Sequence, residues 1–294
     1  MPDKFKKIGL IGRSRHHNAL ETVQSLVQLM EARGLDISIE KGLSKLLGEA
    51  TAHIITRDDI GADCDLVIVV GGDGSMLSAA RAMSMHKVPV LGVNRGRLGF
   101  LTDISPEDIE VRVGAVLDGD YTRERRFLLD VEVTRGGQSI GRADALNDVV
   151  VNSGTSARMI EFDLYIDDTF VYRQRADGLI ISTPTGSTAY ALSGGGPIMH
   201  PALDAIVLVP MFPQTLSSRP IVIDGNSRIR MDIPQDTRIH PPVTCDGQVN
   251  LSAHPGDSVH IHKKPEELIL IHPPGHSFYA SCRDKLRWGH SLVN

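Results

Sequence analysis

Cysteine is scarce in this chain, and its scarcity narrows the chemistry available. Only three cysteines occur in 294 residues, Cys64, Cys245 and Cys282, far apart and without a CxxC pair. A scattered, odd-numbered set fits a reducing cytosol and offers neither a disulfide framework nor a zinc site. Basic charge is not in surplus either. The formal net charge is -5, whereas nucleic-acid binders carry a basic excess or a concentrated basic stripe. Arg123, Arg125 and Arg126 form too short a cluster to read as more than a solvated strand edge. No apolar run approaches the roughly 20 residues of a membrane span. The charged start, Met1 to Lys7, flows straight into Ile8-Gly9-Leu10-Ile11, too short for a signal-peptide core. These absences predict a cytoplasmic protein that engages neither nucleic acid nor membrane. Internal repeats, low-complexity tracts and long linkers are also missing.

What is present is ample apolar material, 41 % of the chain, enough to bury a substantial core over roughly two domains. The first third alternates strand and helix patterns. Ile8 to Ile11 and Ile37 to Glu40 read as strands, Asn18 to Arg33 as an amphipathic helix stopped by Gly34, and Asp65 to Val70 and Val88 to Val93 as buried parallel strands. Ser105-Pro106-Glu107-Asp108 predicts an N-cap opening a helix to about Leu117. Such alternation implies a Rossmann-like, doubly wound α/β domain over residues 1–120. After Gly119-Asp120 the texture becomes β-type, with short runs at Leu128 to Thr134, Ile160 to Ile166, Thr169 to Tyr172, Leu179 to Ser182, Ile221 to Ile223, Ile229 to Ile233, Ser258 to His262 and Leu268 to Ile271. Asp246-Gly247 is a two-residue hairpin signal. A β-sandwich-like domain is therefore expected over 121–275. The helix-like, aromatic stretch from Phe278 to Trp288 leads us to expect that 276–294 packs back on the α/β domain.

The most informative residues are Gly71-Gly72-Asp73-Gly74-Ser75, directly after the apolar run Leu66 to Val70. A glycine-rich turn between a buried strand and a helix presents backbone N–H groups and the positive end of a helix dipole, which attract a phosphate. Asp73 repels one. The combination makes sense where a metal cation or a hydroxyl proton stands between carboxylate and phosphoryl group, as in phosphoryl transfer to an alcohol. The plainer reading is a tight turn with Asp73 or Ser75 capping the following helix; the turn alone does not choose between them. Gly71, Gly72, Gly74 and Ser75 are the candidate phosphate cradle. No GxxxxGK[ST] run supplies a P-loop lysine, so Arg95 and Arg97, in the loop after the Val88 to Val93 strand, are candidates for further phosphate contacts. A second cluster runs from Asp177 through Thr183-Pro184-Thr185-Gly186-Ser187-Thr188-Ala189-Tyr190 to Ser193-Gly194-Gly195-Gly196. Its hydroxyls suit ribose, amide and phosphate groups of a dinucleotide, or serve ordinary capping and turn bonds. His260 and His262 alternate like a metal-ligand pair, but fit better as the polar face of a half-buried strand.

Three ordered motifs, the GGDG at Gly71 to Gly74, Asn147-Asp148, and the TPTGSTAYALS run at Thr183 to Ser193, resemble those of the bacterial-type NAD kinases, over essentially the whole chain. The resemblance implies transfer of the ATP γ-phosphoryl group to the 2′-hydroxyl of the adenosine ribose of NAD. Asp73 then carries the catalytic carboxylate. The NAD site is lined by Asp73, Gly74, Asn147, Asp148, Arg158, Arg175, Asp177, Thr188, Ala189, Tyr190, Ser193 and Gln248. Mg²⁺ is expected to be bound mainly by ATP, with no protein metal centre, and the chain to form a homodimer or homotetramer. Asp148 stands where many members have Glu, and Gly194 where the family usually has Ala. A lipid kinase shares the GGDG logic but needs an apolar acceptor pocket, and a non-catalytic nucleotide sensor would do better with a neutral residue at position 73.

Overall fold

The computed structural model describes residues 5–12, 18–44, 53–96, 99–154 and 158–288. The chain forms two compact units, Met1–Arg125 with Leu268–Asn294, and Arg126–Glu267.

In the first unit β1 (Lys7–Gly12), α1 (Asn18–Ala32), β2 (Asp36–Glu40), α2 (Lys41–Ser44), β3 (His53–Ile55), α3 (Arg57–Asp63), β4 (Leu66–Val70), α4 (Asp73–Met83) and β5 (Val90–Val93) follow one another. The strands pair in parallel, in the order β5-β4-β1-β2-β3. Leu66, Ile68 and Val70 pack on one face of the sheet with Val23, Leu26 and Met30 of α1. Val67 and Val69, on the opposite face, are also buried. Burial on both faces explains the unbroken apolar run of β4. The order reverses at β1, which lies between β4 and β2, so the carboxyl ends of β1 and β4 flank a topological switch point where such sheets bind ligands. The GGDG turn leaves β4 there.

The segment after Ser105 is helical but not one α-helix. A 3₁₀ turn (Pro106–Asp108) and a π turn (Ile109–Val113) precede a short α5 (Gly114–Leu117). Ser105 makes no capping bond to a backbone N–H. Its hydroxyl donates instead to the Asp108 carboxylate, at 2.9 Å.

β6 (Thr122–Arg135) starts in the first unit and runs on into the second, where it forms a hairpin with β7 (Gln138–Ala145), and β8 (Asp148–Asn152), β9 (Ile160–Ile166), β10 (Thr169–Ala176) and β11 (Gly178–Ser182) follow. After the short α6 (Tyr190–Ser193) come β12 (Ala205–Met211), β13 (Ile221–Asp224), β14 (Ile229–Asp232), β15 (Pro242–Cys245), β16 (Val249–Ser252) and β17 (Ser258–His272). One sheet is antiparallel with the order β13-β12-β11-β8-β15-β16; in the other, β10, β9, β14 and β17 are successive neighbours, and β6 pairs with β17 and β7. Val149 and Val151 of β8, Leu179 and Ile181 of β11, and Ile206 and Leu208 of β12 point into a core shared with Leu129, Phe162, Leu164, Met231 and Val259 of the other sheet. This is a β-sandwich. Val150, Ile180, Val207 and Val209 face the other way and are covered by Ala191 and Met199.

β17 is one 15-residue strand, not the two runs the sequence suggests. Its last residues belong to the first unit, where Leu270 pairs with Val90 and Ile271 with Leu91 in parallel. The final helix α7 (Phe278–Leu286) belongs to the same unit and is capped by Ser277, whose side chain accepts the Ala280 N–H.

Candidate functional site

In the first unit the GGDG turn opens α4 with Gly72 as its N-cap and no side-chain capping bond. Asp73 is the first helical residue, where a negative charge is favoured by the helix dipole. Its carboxylate does not cap the helix. Oδ2 accepts the N–H of Phe100 at 2.9 Å and Oδ1 that of Leu101 at 3.0 Å, while the Thr102 hydroxyl donates to Oδ1 at 3.3 Å. Gly99 makes this possible, because a β-carbon there would overlap the Asp73 carboxylate. The Arg95 guanidinium reaches within 3.7 Å of the position a β-carbon on Gly71 would take. Asp73, the glycine cradle and Arg95 are thus brought together. Arg97 lies outside the described residues.

In the second unit Asn147 immediately precedes β8 and Asp148 opens it, against the Asp246-Gly247 turn. Both turn residues take positive φ, 53° and 62°, as the mirror-image turn requires. Gln248 donates its N–H to the Cys245 carbonyl at 2.9 Å. Cys245 nevertheless pairs with Val249, so Gln248 is an extra residue and the connection has three residues, not two. The Asp246 carboxylate accepts the N–H groups of Leu146 (3.1 Å), Asn147 (2.7 Å) and Asp148 (3.4 Å). Asp148 is 5 % exposed. Burial, with the Asp246 charge adding to it, pushes its carboxyl up to about 7. A hollow of about 290 Å³ is lined by Asn147, Asp148, Val150, Asn152, Ala189, Tyr190, Thr244, Asp246 and Gly247.

The hydroxyl-rich run is mostly engaged within the protein. Thr183 donates to the Leu146 carbonyl at 2.6 Å, Ser182 to that of Asn147 at 3.1 Å, and Ser187 to that of Pro184 at 2.7 Å. Ser187 also accepts the Met199 N–H at 2.9 Å, and Thr188 makes a longer bond to the Thr185 carbonyl at 3.4 Å. These side chains build the wall; Ala189 and Tyr190 face the hollow. Tyr190 also lines a second hollow, of about 310 Å³, with Ser193, Gly194, Phe212 and Arg219. Arg158 and Arg175 do not join either. They line a third, of about 470 Å³, with Glu161, Asp236 and Arg238. Asp177, between β10 and β11, bonds through its backbone to Met211 and Ser153, and Gln248 is half-buried after its turn.

Sequence reasoning treated Asp246 only as a turn former and passed over Asn152, Thr244, Asn94 and Thr102. Burial of its carboxylate is what sets Asp246 apart, and that leaves no mark in the sequence, where Asp246-Gly247 reads only as a turn. Among the described residues one group has the composition of a metal centre, Asp103 with His272 and His276. Both imidazoles direct Nδ1 at the same Asp103 oxygen, at 3.3 and 2.6 Å. Their rings stack 3.6 Å apart and 14° from parallel. An ion in the plane of one ring would sit well off the lone-pair direction of the other, so this is a hydrogen-bonded cluster. His260 and His262 face Thr134 and Asp130 separately.

Comparison with known proteins places this geometry in context. The family model for the ATP-NAD kinase N-terminal domain matches residues 8–121, and that for the ATP-NAD kinase C-terminal domain matches residues 146–273. The chain is 56 % identical over 290 residues to the NAD kinase of Ectopseudomonas mendocina, covering 99 % of this chain and 98 % of that protein. It is 55 % identical over 291 residues to the NAD kinase of Marinobacter nauticus, covering 99 % of each. Among solved structures, an NAD kinase from Archaeoglobus fulgidus in complex with ATP superposes with a TM-score of 0.72 at 25 % identity, covering 96 % of this chain and 98 % of that one. Yeast NADH kinase complexed with NADH shares the fold, with a TM-score of 0.88 at 23 % identity over 99 % of this chain and 90 % of that one. With matched domains across both units and relatives of this identity over its whole length, the chain belongs to the ATP-NAD kinase family.

Proposed function

We propose that this chain phosphorylates the 2′-hydroxyl of the adenosine ribose of NAD with the γ-phosphoryl group of ATP, and that Asp73 is its catalytic carboxylate. The observation that carries the reading is the company of Asp73: a glycine turn at a helix N-terminus, an arginine beside it, and donors that hold its carboxylate in one orientation. Phosphoryl transfer passes through a loose transition state, so positioning and charge neutralisation dominate. The cradle of Gly71, Gly72, Gly74 and Ser75, with Arg95, receives the phosphates. Asp73 orients the acceptor hydroxyl and takes its proton late, as the bond to phosphorus forms.

Mg²⁺ enters as part of the donor, MgATP, and neutralises phosphate charge. The residues fit this. A carboxylate has about four acceptor positions, three on Asp73 already hold protein donors and the fourth is left to the acceptor hydroxyl, so Mg²⁺ would be held mainly by the phosphates of the donor and by water. On the acceptor side, the hollow bounded by Asn147, Asp148, Ala189 and Tyr190 supports a ribose-binding role for those residues. Thr188, Ser193, Asp177, Arg158, Arg175 and Gln248 are proposed to complete the NAD site. We read the chain as a cytoplasmic homodimer or homotetramer; three buried cysteines that form no disulfide fit a reducing compartment.

Asp73→Asn tests the central claim. It keeps the shape and removes the proton acceptor, and general-base assistance contributes typically about 10²- to 10⁴-fold. We expect kcat to fall by at least about two decades with NAD affinity within a few-fold, in steady-state kinetics and calorimetry with MgATP and NAD. Unchanged kcat with a raised KM would make Asp73 a binding residue only.

A further inference from the structure

We infer that Thr102, oriented by the buried amide of Asn94, is a positioning residue for Asp73, and that the two leave Asp73 Oδ2 as the oxygen open to the acceptor hydroxyl; this rests on the catalytic role proposed for Asp73. Among the described residues three donors reach the Asp73 carboxylate. The Phe100 N–H takes one position on Oδ2, and the Leu101 N–H and Thr102 hydroxyl take both on Oδ1. With about four acceptor positions on a carboxylate, the one that remains is on Oδ2.

The Thr102 hydroxyl has a single proton. It donates that proton to Asp73 because its oxygen is already supplied with a donor, Asn94 Nδ2 at 2.8 Å. The Asn94 amide is itself fixed, since Oδ1 accepts the N–H groups of Arg95 at 2.6 Å and Gly96 at 3.0 Å, which turns the amino group toward Thr102. Asn94 is 4 % exposed and Thr102 fully buried. Polar side chains so deeply buried are costly unless hydrogen-bonded, and here the Thr102 hydroxyl links Asn94 to the carboxylate, while the Asn94 side chain also holds the backbone that presents Arg95 and, at 3.5 Å, the Thr102 carbonyl. One amide thereby sets both the rotamer of Asp73 and the loop at the phosphate cradle.

The test compares Thr102→Val, Thr102→Ser, Asn94→Asp and Asp73→Asn in the full chain, with thermal melting to verify folding. Valine matches threonine in shape and lacks the hydroxyl, so kcat should fall roughly tenfold, equivalent to about 1.4 kcal/mol, with the KM values for NAD and ATP within twofold. Thr102→Ser should restore the rate. In Asn94→Asp a carboxylate replaces the amino donor and draws the Thr102 proton away from Asp73, so it should repeat the kcat loss. On an Asp73→Asn background, Thr102→Val should add almost nothing, because what it positions is gone. A full additional loss there, or wild-type kcat in Thr102→Val beside a collapsed Asp73→Asn, would overturn the positioning role and leave the Asp73 reading intact. Wild-type kcat in Asp73→Asn would instead remove the reading on which the inference rests.

Discussion

At the scale of single residues, the same side-chain type does three different jobs. Asp73 is held as an acceptor by backbone donors, Asp246 is a fastener for three N–H groups, and Asp148 is buried with its carboxyl raised to about 7. The last case has a definite pH signature. Raising the folded-state value above the ordinary carboxylate range means the unfolded chain loses this proton first as pH rises. The stability associated with Asp148 is therefore present at acid pH and declines between about 4 and about 7, at no more than about 1.4 kcal/mol per pH unit. Asp148→Asn should flatten that part of the curve in denaturant titrations across the interval; an unaltered slope would mean the carboxyl is not buried as described. Asp148→Ala should weaken NAD more than ATP in calorimetric titrations. Arg95 is proposed to serve the donor side. Replacing it with Gln removes a charge-assisted contact worth about 1.5–3 kcal/mol, and should raise the ATP KM by roughly one to two decades while leaving that for NAD nearly unchanged. Salt should shrink the effect. Equal kinetics at low salt would return Arg95 to the solvated surface.

At the scale of elements, the Asp103 cluster ties the loop after β5 to the end of β17 and the entry to α7 within the first unit. Burial alone would raise the Asp103 value, but the bonds to His272 and His276 outweigh it and hold the carboxyl well below the usual range. Burial pulls His272 down, yet Asp103 and Glu124 outweigh it and leave the imidazole above its ordinary value. Its Nε2 sits 3.4 Å from the Glu124 carboxylate without forming an aligned bond. The Asp103 contribution is present above the ordinary carboxylate range and lost as pH falls through its lowered value. The His272 contribution is present below the ordinary histidine value and lost as pH rises through its raised value. The tie is thus strongest from about pH 4 to 6.5. His272→Gln should cost roughly 3–5 kcal/mol there and progressively less at alkaline pH, by thermal melting. A constant difference across pH would refute the charged pairing.

Which elements could be read in advance follows from where their stabilisation comes from. The apolar run of β4 and the spacing of α1 carry their own signals. The helix at Arg57–Asp63 had one that sequence reading overlooked, Thr56 as N-cap with Asp58 and Asp59 in the first turn. β17 was different. Its polar middle reads as a break, but Lys263 pairs with Asp204 and Lys264 with Asp144, so long-range partners carry the strand through. The hydroxyl run poses the converse problem: nothing local distinguishes a serine that meets a ligand from one such as Ser187, which stitches together residues 184 and 199.

At the scale of the molecule, the α/β unit and the β-sandwich were both legible because each has its own period of hydrophobicity, while the convergence of Asn147, Asp148 and Asp246 was not, since pairing across such separations leaves no local trace. The sandwich unit exposes Phe212, Leu216 and Val222, at 77 %, 93 % and 53 %. If these serve self-association, light scattering should give two or four times the mass of one chain; a single-chain mass would make them plain surface. The Asp246 fastener has a temporal consequence as well. Its bonds to residues 146–148 span 98 to 100 positions, and contacts of such separation form late because loop closure must precede them. During synthesis the start of β8 leaves the ribosome long before the residue that clamps it. A nascent chain halted before Asp246 should therefore be blind to NAD, and competence should wait for that hairpin and for β17, which follows it and completes the sandwich core.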